Sequence, residues 1–97
     1  MGFFGFGEKY TKEDLQREIH TLAALYRQAT GTDNTTKSRA ELKQALGLQL
    51  HKVLDVCKKG GFHGGETVEW NPGIPRTGNF TSLRNVTPMV QMYIEIM

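Results

Sequence analysis

The amino-acid sequence predicts an α+β fold, with an N-terminal antiparallel helical hairpin and a small C-terminal β element packed over it. Two segments with amphipathic spacing, each preceded by a capping residue, predict the hairpin. Apolar and polar residues alternate over positions 90–97, which predicts the β element. An all-α fold with a third C-terminal helix is the alternative.

The first helix is predicted to run from Thr11 to about Thr30. Thr11 and Asp14 have the spacing of a capping box, in which each side chain accepts a hydrogen bond from the other residue's backbone N–H. Gly31 can adopt the left-handed conformation that ends many helices. The apolar residues recur every three or four positions and form one stripe: Leu15, Ile19, Leu22, Leu25, Tyr26 and Ala29.

The second helix is predicted to run from Ser38 to about Lys59. Ser38 and Glu41 form a full capping box, and two glycines follow Lys59. One polar residue, Gln49, interrupts the apolar stripe of Leu42, Ala45, Leu46, Leu50, Val53, Leu54 and Cys57. The short connection makes the two helices antiparallel neighbours, and both stripes then need cover from the tail or from another subunit.

The tail, residues 61–97, is rich in glycine and proline and begins with a strand candidate. In Glu66–Trp70, the side chains of Val68 and Trp70 share one face. A two-stranded sheet is marginal alone, so we expect this element to pack on the hairpin or to gain strands from positions 80–84 or from a second chain.

The last segment, positions 88–97, fits either a strand or a helix. Its alternation and its β-branched residues favour a strand, and this is the structure that we expect. Thr87 and Pro88 also suit the first positions of a helix. The helical alternative has its own apolar stripe, which consists of Met89, Met92, Tyr93 and Ile96.

Length and composition indicate a single domain over residues 1–97, made of a glycine-aromatic lead (1–10), the hairpin (11–60) and the tail (61–97). The net charge of +2 is smaller than the dense basic patches of typical nucleic-acid-binding domains. Cys57 is the single cysteine, so no intramolecular disulfide is expected. Because the sequence also has no signal-like or membrane-spanning stretch, it predicts a cytoplasmic protein with no membrane partner.

No motif in the sequence predicts catalysis, a cofactor or a metal site. The three histidines lack the close paired spacing that zinc sites usually show. Cys57 is predicted to face the core, where a thiol is a poor nucleophile. We therefore expect a protein that is not an enzyme.

Two groups of residues are candidates for binding. The first is the aromatic lead, with Phe3, Phe4, Phe6 and Tyr10. These side chains could cap the small core, or they could dock onto a partner or a second subunit. The second group lies in the 60–80 loop and consists of His63, Trp70 and Arg76. It could bind a small anionic ligand, helped by backbone N–H groups of the glycine-rich stretch 58–65.

Non-enzymatic binding is the function that these features predict best, through protein–protein interaction by a homo-oligomer. The size and the lack of motifs are also typical of small phage and mobile-element proteins, including inhibitors of host defences. A small-ligand or nucleotide binder using the 60–80 loop is one alternative. A helical-hairpin nucleic-acid binder is another, and the small net charge makes it the less favoured of the two.

Overall fold

The computed structural model describes residues 10–97 and confirms an α+β fold that begins with a helical hairpin. The elements in chain order are α1 (Lys12–Thr30), α2 (Arg39–Gly60), β1 (Thr67–Glu69), β2 (Phe80–Ser82) and α3 (Leu83–Ile96). The two strands form an antiparallel sheet, and the three helices pack around the core.

Both helices of the hairpin begin at the predicted capping boxes. At α1, Thr11 Oγ1 accepts the Asp14 N–H at 3.1 Å, and the Asp14 carboxylate accepts the Thr11 N–H at 2.8 Å. At α2, Ser38 and Glu41 make the same reciprocal bonds at 3.1 and 2.7 Å. The residue after each helix is a glycine in the left-handed conformation, with φ of 90° and 73°. Local sequence therefore sets all four ends of the hairpin.

The predicted stripes meet in one core, and the polar residue between them has partners. The Gln49 side-chain amide donates to the Glu18 carbonyl at 3.0 Å and to the Glu18 carboxylate at 2.9 Å, which ties α2 to α1. The buried members of the core are Leu15, Ile19, Leu22, Ala23, Leu46, Leu50, Val53, Val56, Val68, Trp70, Leu83, Val86 and Val90. Leu54, predicted to lie in the buried stripe, is instead 46% exposed.

The first strand lies within the predicted segment Glu66–Trp70 and is held against α1. It pairs with β2 in the register Thr67↔Ser82, Val68↔Thr81 and Glu69↔Phe80. On the other side, the Gln16 side chain donates to the Glu69 carbonyl at 2.8 Å and accepts the Glu69 N–H at 2.8 Å. Gln16 thus supplies the hydrogen bonds that a third strand would otherwise make.

The predicted C-terminal strand is wrong, because this segment belongs to the helix α3. The alternating residues do not share a face: Val90 is buried in the core, whereas Met92 and Ile96 are 65% and 71% exposed. Alternation over so few residues also fits a helical stripe. In the structure, the apolar groove of the hairpin is filled by side chains three or four residues apart, namely Leu83, Val86 and Val90. The helix begins before Thr87, with Ser82 at its N-cap and Pro88 inside it.

The third helix supplies the cover that the hairpin stripes need. It runs antiparallel to α2, and at one end Lys43 Nζ lies 3.4 Å from the Met97 carbonyl oxygen. On the side facing α1, the Tyr93 hydroxyl donates to the Ala29 carbonyl at 3.1 Å, and the Tyr93 and Tyr26 rings lie 5.1 Å apart. Within residues 10–97, no helix combines the length and the apolar character needed to cross a membrane.

Candidate functional site

One side of α3 is apolar and exposed to solvent. Met89, Met92 and Ile96 are 38%, 65% and 71% exposed. Their spacing of three and four residues places them on one face of the helix, beside the face that enters the core. We refer to these three residues as the α3 stripe.

Charged residues near the two ends of α3 have the opposite order from the one that stabilises an isolated helix. Arg84 lies in the first turn and Glu95 in the last turn, and both are exposed. The helix macrodipole favours acids at the N-terminus and bases at the C-terminus, by about 0.3–1 kcal/mol each. The helix dipole therefore does not account for these two charges, although each has a partner within the chain: Arg84 Nε donates to the Gly64 carbonyl at 3.2 Å, and the Glu95 carboxylate accepts from the Gln91 side chain at 3.2 Å.

A groove of about 300 Å³ lies between the end of α2 and the start of α3. Its walls are mostly apolar and are formed by Leu54, Cys57, Phe62, His63, Gly64, Leu83, Arg84, Thr87 and Pro88. Burial, followed by the nearby charge of Glu66, raises the pKa of the Cys57 thiol. Because the thiol stays protonated near neutral pH, the groove has no activated nucleophile.

Tyr10, the one described residue of the aromatic lead, lies close to this groove. The Tyr10 carbonyl oxygen lies 3.2 Å from the position that a Cβ on Gly60 would occupy, and the Phe62 ring approaches the same position to 2.5 Å. Glycine is therefore required at position 60 for this close contact. The other predicted residues of the lead, Phe3, Phe4 and Phe6, lie outside the described residues.

The backbone N–H groups after α2 already have an anionic partner within the chain. The Glu66 carboxylate accepts the N–H groups of Gly64 at 2.9 Å and His63 at 3.2 Å. Hydrogen bonds from its own backbone N–H and from these two lower the pKa of Glu66. An external anion would have to displace this carboxylate from the glycine-rich turn.

The three candidate residues of the 60–80 loop do not converge on one pocket. His63 lines the groove at the end of α2. Trp70 is 4% exposed and packs edge-on against Tyr26, with ring centroids 5.6 Å apart, so its ring has no open face for a ligand. Arg76 pairs with Asp33 at 2.6 Å, at the opposite end of the hairpin.

Many basic side chains of the hairpin contact acidic side chains. Arg17 pairs with Asp14 at 2.6 Å, and Arg27 pairs with Asp33 at 2.8 Å. Two further pairs join Lys52 to Glu18 at 3.7 Å and Lys59 to Asp55 at 3.2 Å. These contacts reduce the positive potential that a nucleic-acid-binding surface needs.

The described residues contain no grouping suited to a metal ion. In the segment 10–97, no cluster of three or more His, Cys, Asp or Glu side chains could hold one. The closest polar contact of His20 is Glu69, whose carboxylate lies 3.3 Å from His20 Nε2. This contact joins α1 to β1.

Comparison with known proteins found no match: no protein-family model, curated protein or solved structure matches this chain. Inference about function therefore rests on the geometry of residues 10–97. Two features of that geometry offer a continuous apolar surface to a partner, the α3 stripe and the groove. The helical spacing of Met89, Met92 and Ile96 signals the stripe in the sequence, but the strand interpretation hides it.

Proposed function

We propose that this protein is a non-enzymatic protein-binding module that works as a homodimer, with α3 packed against α3 of a second copy. The observation that carries this proposal is the α3 stripe. Isolated exposed apolar residues are common on protein surfaces, but three large ones aligned on one helix face form a patch typical of interaction sites.

Charge order argues for a second copy as the partner. A two-fold axis across α3 pairs each helix with a reversed copy of itself. When this axis crosses α3 near Met89 and Val90, midway between positions 84 and 95, Arg84 of one protomer lies toward Glu95 of the other, and this contact occurs twice. The two helix dipoles are also antiparallel in this arrangement. The charges that oppose the dipole within one chain are therefore complementary between chains.

The size of the interface predicts a weak dimer. A helix of 14 residues is about 21 Å long, which places the contact at the small end of specific interfaces. A domain of 97 residues also has a thin stability margin, so burial of the stripe would stabilise the folded state. We expect dissociation in the micromolar range, on the order of 10 μM.

Light scattering after size exclusion tests this proposal. The wild-type chain should approach twice its mass of 10.9 kDa as its concentration rises. Met92→Lys should remain a monomer, because a lysine charge cannot be buried in the apolar contact. Leu48→Lys is the matched control, since Leu48 is 66% exposed on α2 and lies outside the stripe. Wild-type protein that stays monomeric well above 100 μM, roughly tenfold above the expected constant, would contradict the proposal.

A further inference from the structure

We propose that the groove between α2 and α3 is a receptor for a phenylalanine side chain, and that its occupant is the phenylalanine-rich segment 1–9 of the same chain. The groove contains none of the three residues of the α3 stripe, and its occupation does not require a dimer; Arg84 is the one residue that borders the groove and also belongs to the proposed dimer contact.

The groove has the size and the chemistry to accept a phenyl ring. Its volume is about 300 Å³, whereas a dry cavity of about 150 Å³ is enough to hold benzene. Leu54, Leu83 and Pro88 supply apolar walls, and Leu54 remains 46% exposed although it is a large aliphatic residue. An aromatic occupant would cover Leu54 and complete the packing at this end of the hairpin.

The rim of the groove also suits an aromatic ring. The Arg84 side chain is fixed there, because its Nε donates to the Gly64 carbonyl at 3.2 Å. A guanidinium group held in one plane can stack on the face of a phenyl ring. An aromatic side chain therefore fits this mixed lining better than an aliphatic one of similar size.

The position of Tyr10 identifies the nearest source of such a side chain. Tyr10 contacts Gly60 beside Phe62, and Phe62 forms part of the groove wall. Phe6 precedes Tyr10 by four residues, and four residues can span up to about 13 Å. Segment 1–9 carries three phenylalanines, so the local concentration of phenyl rings at the groove is high.

The single cysteine is a built-in probe of this contact, because Cys57 lines the groove. Its reaction with an aromatic disulfide reagent should be measured on the full chain at about pH 8.5, near the ordinary thiol pKa. Replacing Phe3, Phe4 and Phe6 by serine should speed the reaction at least about tenfold, since burial of one phenyl ring shifts an equilibrium by more than that factor.

The control keeps the phenylalanines and changes the same segment. A chain carrying Glu8→Ser and Lys9→Ser should react at the wild-type rate. Equal rates in the serine variant and the wild type would overturn the proposal. Protection of Cys57 that increases with protein concentration would also overturn it, because the occupant would then come from another molecule. If Cys57 is protected to the same degree at protein concentrations below and above the dimer dissociation constant, the result supports a contact within one chain.

Discussion

At the scale of single residues, two glutamines join elements that apolar packing alone would leave free to slide. Gln49 fixes α2 on Glu18, and Gln16 fixes β1 on α1 through both backbone groups of Glu69. Each lies at the border of an apolar stripe, where its side-chain amide makes two partly buried hydrogen bonds to the neighbouring element. Such residues set the register between elements, because their hydrogen bonds are satisfied in one alignment only.

Replacing Gln16 by alanine should therefore destabilise the fold. The Glu69 N–H and carbonyl would lose their partners at a partly buried position, which costs about 1–3 kcal/mol. Urea denaturation should show a lower midpoint. Gln44→Ala, on the exposed side of α2, serves as the control and should change stability by less than about 0.5 kcal/mol. Equal midpoints for the two variants would show that the Gln16 contacts contribute nothing.

At the scale of elements, α3 carries features that serve two different surfaces. Its inner face covers the hairpin through Leu83, Val86 and Val90. Its outer face is apolar, and its end charges oppose the helix dipole. In the proposed antiparallel dimer, this outer face and these end charges would face a second copy of α3.

Exchanging the charges at the ends of α3 separates the contact between protomers from the effect of the helix dipole. Arg84→Glu or Glu95→Arg alone should weaken the dimer about fivefold, because each creates like-charge contacts in both symmetric halves. The double variant should regain the wild-type dissociation constant while its charges now agree with the helix dipole. Sedimentation equilibrium at low salt measures all three constants. A double variant as weak as the singles would exclude the antiparallel arrangement.

At the scale of the whole molecule, backbone N–H groups and basic side chains hold acidic side chains in their ionised form. The affected carboxyl groups are Asp14, Asp33, Glu66 and Glu69, and each has a lowered pKa. Backbone N–H groups are the main cause at three of them, and the Arg27 side chain is the main cause at Asp33. These carboxylates connect the start of α1, the hairpin loop, the turn after α2 and the sheet.

The fold should accordingly lose stability in acid. A carboxyl group with a lowered folded-state pKa contributes stability that is fully present above its ordinary value, here 3.8 for Asp and 4.5 for Glu, and is lost as pH falls toward the folded value. The melting temperature should therefore begin to fall below about pH 5 and should keep falling as the pH is lowered further. Glu69→Gln should reduce this fall, and Glu13→Gln, an exposed acid of α1, should not. An identical fall of the melting temperature in the wild type and in both variants would contradict this coupling between protonation and folding.

The candidate site was predictable only in part. Tyr10 and His63 are predicted from exposed aromatic and loop character, and both lie near the groove at the end of α2. Trp70 and Arg76 have the right chemistry for a ligand, but the first is buried and the second is paired with Asp33. A sequence shows which side chains could bind a ligand, but it does not show which of them the fold has already used.

The sequence by itself determined the helical hairpin, its four ends and the first strand. Capping boxes, terminal glycines and apolar spacing act within a few residues, so no distant contact is needed to interpret them. Only the tertiary structure decided that the last segment is a helix, because its alternation suits both structures and the open groove of the hairpin selects the helical spacing. The α3 stripe and the phenyl-sized groove depend on that choice, since each exists only once α3 lies against α2.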